Sequence, residues 1–123
     1  MANDKKYFTP TELESMCQSI LMYSKIPFGR REELDVEHEA YLRNSTKEKL
    51  FKDITKTLTT WYFYLSIHIK IENYELCSLI KQTIEVEKKE FMFYLKKFCI
   101  EYEKEDKQFL EEIEKEIREF YKI

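Results

Sequence analysis

Arg31 and His38 are the two residues of this 123-residue chain whose types and spacing could support catalysis. They are seven residues apart, which places them on one side of a helix. Histidine exchanges protons near neutral pH, so His38 could serve as a general acid or base beside the permanent charge of Arg31. The competing interpretation is an arginine on a helix face and a half-buried histidine, neither with a catalytic role.

The spacing of the two residues resembles the active-site pattern of HEPN ribonucleases, a family of small all-α proteins. The resemblance implies that Arg31 steadies a phosphate while His38 handles the proton. It is confined to this spacing, because Glu32 stands where the family usually has a polar amide or a similar group. Further acids, which would repel RNA, follow at Glu33, Asp35, Glu37 and Glu39. A small ribonuclease is therefore the alternative hypothesis for this chain.

Motifs that bind metals or cofactors are incomplete in this sequence. His68 falls on the apolar arc of a predicted helix, where it could bind a metal or ligand, although a single core histidine is more often hydrogen-bonded to a neighbour. A di-iron bundle needs two Glu-x-x-His repeats, and the chain has only Asp35-x-x-His38. The single glycine excludes a glycine-rich phosphate loop. We therefore predict no metal site and no cofactor.

Two groups of apolar and sulfur-containing residues have competing interpretations. The aromatic run at residues 61–64 could line a cavity for an apolar ligand such as an acyl chain, which makes a helical sensor domain a second alternative. Aromatic residues at helical spacing more often form core. Cys17, Cys77 and Cys99 are odd in number and far apart among apolar neighbours, so we expect buried, reduced thiols in a reducing compartment.

The charge pattern argues against nucleic acid and membranes as partners. The formal net charge is -3 with a pI near 5.6, and acids alternate with bases, so no domain-wide positive field attracts phosphate or anionic lipid. The first residues are polar, and no later stretch has about 18 uncharged apolar residues. These features predict a cytoplasmic protein that neither crosses nor anchors to a membrane.

Capping signals and apolar periodicity predict helices throughout the first two thirds of the chain. The sequence Thr9-Pro10-Thr11-Glu12 has the form of a capping box and predicts a helix from Pro10 to near Lys25. A short amphipathic helix follows, with apolar or aromatic positions at Leu34, His38, Tyr41 and Leu42. Ser45 and Glu48 repeat the capping-box spacing and predict a helix from Thr46 to about Ile71.

The segment 61–71 also has the alternating pattern of a half-buried strand. We favour a helix there, because a strand needs a partner and the chain offers no hairpin turn to supply one. Such a helix is apolar nearly all round after Trp61. It therefore belongs in the middle of a bundle or in an interface.

The C-terminal third predicts one long amphipathic helix after a break around Glu72 and Asn73. Its stripe has a period of 3.6 and includes Ile80, Ile84, Phe91, Leu95, Phe98, Tyr102, Phe109, Ile113 and Phe120. From Ile84 to Ile123 a continuous helix would extend about 60 Å, more than the width of a domain this size. Either the chain bends back near Lys104 to Lys107, or its end projects and needs a partner.

Together these patterns predict an all-α fold: one domain over residues 1–123, built as a small bundle of about four helices with a long C-terminal amphipathic helix and a flexible segment 1–8. A second apolar stripe lies opposite the main one and consists of Val86, Phe93 and Ile100. With Phe63, Ile67 and Ile71, these residues form the predicted interaction surface. We accordingly expect a non-enzymatic helical interaction protein, such as a small regulator, inhibitor, adaptor or accessory subunit, that binds a protein partner or itself as a homodimer.

Overall fold

The protein is an all-helical bundle, as the sequence predicts. The computed structural model describes residues 7–27, 30–31, 35–98 and 103–123, and within these ranges there are five helices and no strand. The helices are α1 (Pro10–Tyr23), α2 (Val36–Asn44), α3 (Lys47–Lys70), α4 (Tyr74–Phe98) and α5 (Glu105–Tyr121). The observed number is five where the sequence indicated about four.

The predicted capping box at the start of α1 is confirmed. Thr9 Oγ1 accepts a hydrogen bond from the Glu12 amide at 3.2 Å, and Glu12 Oε1 accepts one from the Thr9 amide at 2.9 Å. These reciprocal bonds satisfy two amide donors that otherwise have no partner at a helix N-terminus. The helix ends at Tyr23, two residues before the predicted Lys25.

The predicted cap of α3 is wrong by one residue. Thr46, not Ser45, is the N-cap, and its hydroxyl accepts a hydrogen bond from the Lys49 amide at 3.2 Å. The Ser45 hydroxyl instead donates to the Tyr41 carbonyl oxygen at 2.6 Å and so helps to end α2. Two adjacent hydroxyl residues thus serve two different helices, which the spacing alone does not separate.

The segment 61–71 is helical up to Lys70, so the choice of helix over strand is confirmed. The predicted break follows at once: Glu72 has a φ of 61°, and the Asn73 amide donates to the His68 carbonyl oxygen at 2.9 Å. A left-handed residue closing a helix in this way reverses the chain direction. As a result α4 runs antiparallel to α3, and the Phe51 and Phe91 rings meet edge to face at 4.9 Å.

The C-terminal third bends back, one of the two alternatives that its length allowed. The described part of α4 ends at Phe98, and α5 begins at Glu105 directly after the turn residue Lys104, so the chain reverses next to the expected segment Lys104 to Lys107. Because the chain turns here, the helical phase restarts. Consequently Phe109 is 51% exposed and Phe120 is 77% exposed, although the extrapolated stripe placed both on the buried side.

The helix α5 lies parallel to α3, with contacts at both ends. Phe51 meets Phe109 with ring centroids 5.0 Å apart near the start of α5, and Phe63 meets Tyr121 at 6.1 Å near its end. On the other side of the hairpin, α1 and then α2 pack along α4. The fully buried apolar side chains at the centre come from α1, α3 and α4: Leu13, Cys17, Leu58, Leu65, Ile80, Ile84 and Leu95.

Two acidic residues, the buried Asp106 and the partly buried Glu114, hold α5 in place. Asp106 accepts the Glu103 amide at 2.9 Å and pairs with Lys47 Nζ at 2.9 Å. About two turns further on, Glu114 accepts hydrogen bonds from the Tyr62 hydroxyl at 2.6 Å and from Lys88 Nζ at 2.9 Å. Carboxylates that accept charge-assisted bonds from two neighbouring helices fix the register of α5 as well as its position.

The remaining sequence predictions are settled only in part. Cys17 and Cys77 are buried free thiols, whereas Cys99 lies outside the described residues. Of the segment 1–8, the structure describes Tyr7 and Phe8, and the Phe8 amide donates to the Tyr64 hydroxyl at 3.0 Å. No helix among the described residues is both long enough and apolar enough to cross a membrane.

Candidate functional site

Arg31 lies in the interior of the protein, which corrects the expectation of an arginine on a helix face. Its side chain is 0% exposed. Nη2 lies 2.8 Å from Oε2 of Glu90, and Nε donates to the Ile26 carbonyl oxygen at 2.9 Å. The guanidinium also sits over the Tyr23 ring, 4.9 Å from its centroid. Arg31 therefore links the segment after α1 to the middle of α4.

A buried polar cluster surrounds this arginine. The Tyr94 hydroxyl donates to Oε1 of the buried Glu39 at 2.7 Å and is also hydrogen-bonded to Arg31. Arg31 thus pairs directly with Glu90 and is connected to Glu39 through the Tyr94 hydroxyl. Buried charges need such partners, because an isolated ion in a protein interior is strongly unfavourable. The cluster joins α2 to α4 by polar contacts.

The pKa shifts in this cluster reflect burial first and charge second. Burial raises the pKa of Glu90, and the nearby Arg31 only partly offsets that rise. For Arg31, burial lowers the pKa, but the Tyr94 hydrogen bond and the Glu90 charge outweigh it and leave the pKa above its ordinary value. The arginine remains a cation, and its charge is directed at Glu90.

His38 is exposed, which corrects the expectation of a half-buried histidine. It belongs to α2, which begins at Val36, whereas Arg31 precedes that helix and residues 32–34 lie outside the described chain. The His38 ring stands edge-on to Tyr94 at 6.5 Å. A phosphate held by Arg31 beside His38 would require the guanidinium to leave its carboxylate and the interior. In the observed position the Arg31 guanidinium contacts Glu90 and the Ile26 carbonyl oxygen inside the protein.

His68 is buried on α3, as its place on the apolar arc suggested, and its Nδ1 has no hydrogen-bond partner. The expected hydrogen bond to a neighbour through that nitrogen is therefore absent. Burial lowers the pKa of the ring, since the interior disfavours the imidazolium. Among the described residues, no group of three or more histidine, cysteine or acidic side chains is arranged to hold a metal ion.

The five described residues of the predicted interaction surface lie on or next to two helices and differ in exposure. Phe63 and Ile67 on α3 are partly buried and pack against the core, while Ile71 at the end of α3 is 62% exposed. Val86 and Phe93 are partly buried on α4, and the Lys97 ammonium lies 5.7 Å from the Phe93 ring centroid. Ile100 lies outside the described residues. This surface stays a prediction.

A different surface, which the sequence analysis missed, lies between α3 and α5. It is an open groove of about 1540 Å³ whose floor is formed by Phe51, Phe109 and Ile113. None of the residues 61–64, which were considered for an apolar ligand, lines it. Phe109 is half exposed while its ring packs edge-on against Phe51, so apolar surface remains open to solvent here. We refer to this region as the α3–α5 face.

The two sides of the α3–α5 face have opposite charge. Lys52 and Lys56, both exposed on α3 one turn apart, form its basic edge, and the exposed Glu48, one turn before Lys52, is an acid on the same side. Glu105, Glu112 and Glu116 are exposed on one side of α5 and form its acidic edge. Within the part of the chain that the structure describes, none of these six side chains makes an ion pair.

Two apolar residues of this face were recognised in the sequence, but their periodicity predicted that they would be buried. Phe109 and Ile113 were assigned to the buried stripe of one continuous helix, and only the position of the bend shows that Phe109 faces outward. The groove therefore depends on the turn between Phe98 and Glu105, which periodicity does not locate.

No protein-family model matches this chain, and no curated protein or solved structure matches it either.

Proposed function

We propose that the protein is a non-enzymatic interaction module that binds a protein partner through the α3–α5 face. The observation that supports this most directly is the half-exposed Phe109 above Phe51, in a groove bordered by unpaired charges. An aromatic floor with a charged rim is the composition typical of protein recognition sites. The face is built from two helices whose positions the bundle fixes.

The burial of Arg31 supports a non-catalytic function. A ribonuclease that uses Arg31 and His38 needs the arginine to reach phosphate, yet the guanidinium is enclosed and engaged with Glu90 at 2.8 Å. Removing it from this site would leave the partly buried Glu90 carboxylate without its cation, which is costly. The α3–α5 face needs no comparable rearrangement to meet a partner.

The experiment that tests this proposal is capture of binding partners by the folded, tagged chain from an extract of the source cell, followed by cross-linking and mass spectrometry. The test variant is Phe109→Asp, which places a charge in the apolar floor. The matched control is Met22→Asp, which changes an apolar residue on α1 that is 69% exposed, against 51% for Phe109. We expect one reproducible partner that cross-links to α3 and α5, is lost with Phe109→Asp and persists with Met22→Asp.

The proposal is wrong if partner binding survives Phe109→Asp while the variant retains its helical circular dichroism spectrum. A separate assay addresses the ribonuclease alternative. Purified protein incubated with RNA and a chelator should show no cleavage above that of buffer, and His38→Ala should behave in the same way. Metal-independent cleavage that falls by about a hundredfold in His38→Ala, the effect expected on removing a general acid or base, would establish the enzyme instead.

A further inference from the structure

We propose that the partner on the α3–α5 face is a second copy of this chain, related to the first by a two-fold axis parallel to α3 and α5. This inference rests on the proposed interaction function and names its partner. The argument uses the distribution of charge across the face and the parallel course of the two helices that form it.

The relative level of residues along α3 and α5 follows from their contacts. Lys47 pairs with Asp106 at 2.9 Å, and Phe51 meets Phe109 at 5.0 Å, so a residue of α3 lies level with the α5 residue about 58 or 59 positions later. Lys52 and Lys56 are then level with positions near 110 and 114. Glu112 lies between those levels, about 3 Å along the helix axis from each lysine.

With a two-fold axis parallel to the helices, the lysines of one copy come to lie at the same height as the glutamates of the other, so that ion pairs form between the two copies. Rotation by 180° about an axis within the contact plane places α3 of each copy over α5 of the other while keeping every residue at its own height. The basic edge of one copy, Lys52 and Lys56, then faces the acidic edge of the other around Glu112. The same contacts form twice, as symmetry requires in such a dimer.

The other way of stacking two such faces lacks this complementarity. A two-fold axis within the contact plane but perpendicular to the helices places α3 over α3 and α5 over α5. The glutamates of α5 then meet glutamates, and on α3 lysines meet lysines except where Glu48 lies opposite one of them. Like charges opposite one another are unfavourable. The distribution of charge thus selects one arrangement of two copies, in which the Phe109 rings also come together over the apolar floor.

The size of the face sets the strength of the interaction. The 17 residues of α5 extend about 25 Å, and two adjacent helices are about 20 Å wide, so each copy contributes roughly 500 Å² in projection. Interfaces that bury less than about 1,200 Å² in total belong to transient complexes. We therefore expect a dimer that forms reversibly in the micromolar range.

Charge reversal on each edge tests this arrangement by sedimentation velocity over roughly 5 to 500 µM, a range that brackets weak interfaces of this size. One variant is Lys52→Glu/Lys56→Glu and the other is Glu112→Lys/Glu116→Lys. Each should shift the dissociation constant at least tenfold towards monomer, because all edge charges then repel. An equimolar mixture of the two variants should dimerise again, since every lysine once more faces a glutamate. The control Lys81→Glu/Lys89→Glu, on the exposed side of α4, should dimerise like the wild type.

Each outcome decides the inference separately from the proposed function. A wild-type chain that stays monomeric at the highest concentration overturns the second copy as partner, and partner capture with Phe109→Asp then still decides whether the face binds another protein. If both charge variants lose dimerisation but their mixture does not recover it, the parallel two-fold arrangement is wrong. Dimerisation that is unchanged in both variants excludes the α3–α5 face as the dimer contact.

Discussion

The Arg31 side chain is the single group whose loss should most clearly separate a structural role from a catalytic one. In Arg31→Met the methionine replaces much of the apolar stem, while Glu90 loses its cation and the Ile26 carbonyl loses a hydrogen bond donor. Breaking a buried ion pair by removing one partner costs about 3–5 kcal/mol. Glu90 retains 20% exposure of its side chain, so water can reach the stranded carboxylate and the lower limit applies.

We therefore expect Arg31→Met to lower the free energy of unfolding by about 3 kcal/mol. Urea denaturation followed by circular dichroism measures this change. With a denaturant dependence of about 1.5 kcal/mol/M, typical of a small domain, the midpoint falls by about 2 M at an unchanged slope. The matched control is Arg30→Met, which alters the exposed neighbouring arginine and should change stability by less than about 0.5 kcal/mol.

The double variant Arg31→Met/Glu90→Gln shows whether the carboxylate is the cause. Neutralising Glu90 removes the charge that Arg31 compensated, so the double variant should be more stable than the sum of the two single changes predicts, by at least about 1 kcal/mol. The reasoning is refuted if Arg31→Met and Arg30→Met destabilise equally. It is also refuted if the double variant shows no coupling.

Three further predictions follow from other buried or partly buried groups. Burial holds the pKa of His68 below 6.5, so as pH falls the unfolded chain takes up a proton before the folded chain does, and the free energy of unfolding declines below about pH 6.5. In urea denaturation at several pH values, His68→Leu should lose that part of the decline. The carboxyl contributions are common to both proteins and cancel in the comparison. Glu114→Ala removes the bonds to Tyr62 and Lys88, so hydrogen exchange should accelerate in α5 more than in α3, whereas the exposed Glu111→Ala should change neither. Phe93→Asp should leave dimerisation measured by sedimentation intact if the α3–α5 face is the contact, and loss of the dimer would instead favour the surface predicted from sequence.

Local signals in the sequence predicted the helices well, because their causes are local. The Thr9 capping box, the apolar periodicity of α3 and the break at Glu72 all depend on residues within one or two turns of each other. Even the error at Ser45 is small, since both candidate caps have hydroxyl groups and only the end of α2 decides between them. The all-α class followed from the same evidence.

The candidate site was not predictable in the same way, because it depends on tertiary position. A helical projection assumes one continuous axis, and the turn before Glu105 breaks that assumption, so Phe109 changes from core to surface. Arg31 was misassigned for a related reason: charged residues are usually exposed, and its partner Glu90 lies 59 residues later in the chain. No spacing rule connects residues that meet only after α1 and α2 have packed on α4.

Acidic and basic residues that alternate regularly along the chain can still be separated from each other on the surface of the folded protein. At 100° per residue, Glu105, Glu112, Glu116 and Glu119 fall within about 60° of one another on α5, while Lys107, Lys115 and Arg118 fall within about 80° on the other exposed side, together with the single acid Glu111. A count of charges, or their alternation in the printed sequence, averages these two sides away. Because α5 lies parallel to α3, the acidic side comes to lie beside the basic edge formed by Lys52 and Lys56. Although the net charge is -3, a second copy is therefore attracted to this face in one orientation and repelled in the other. This difference between the two orientations makes the proposed two-fold arrangement specific.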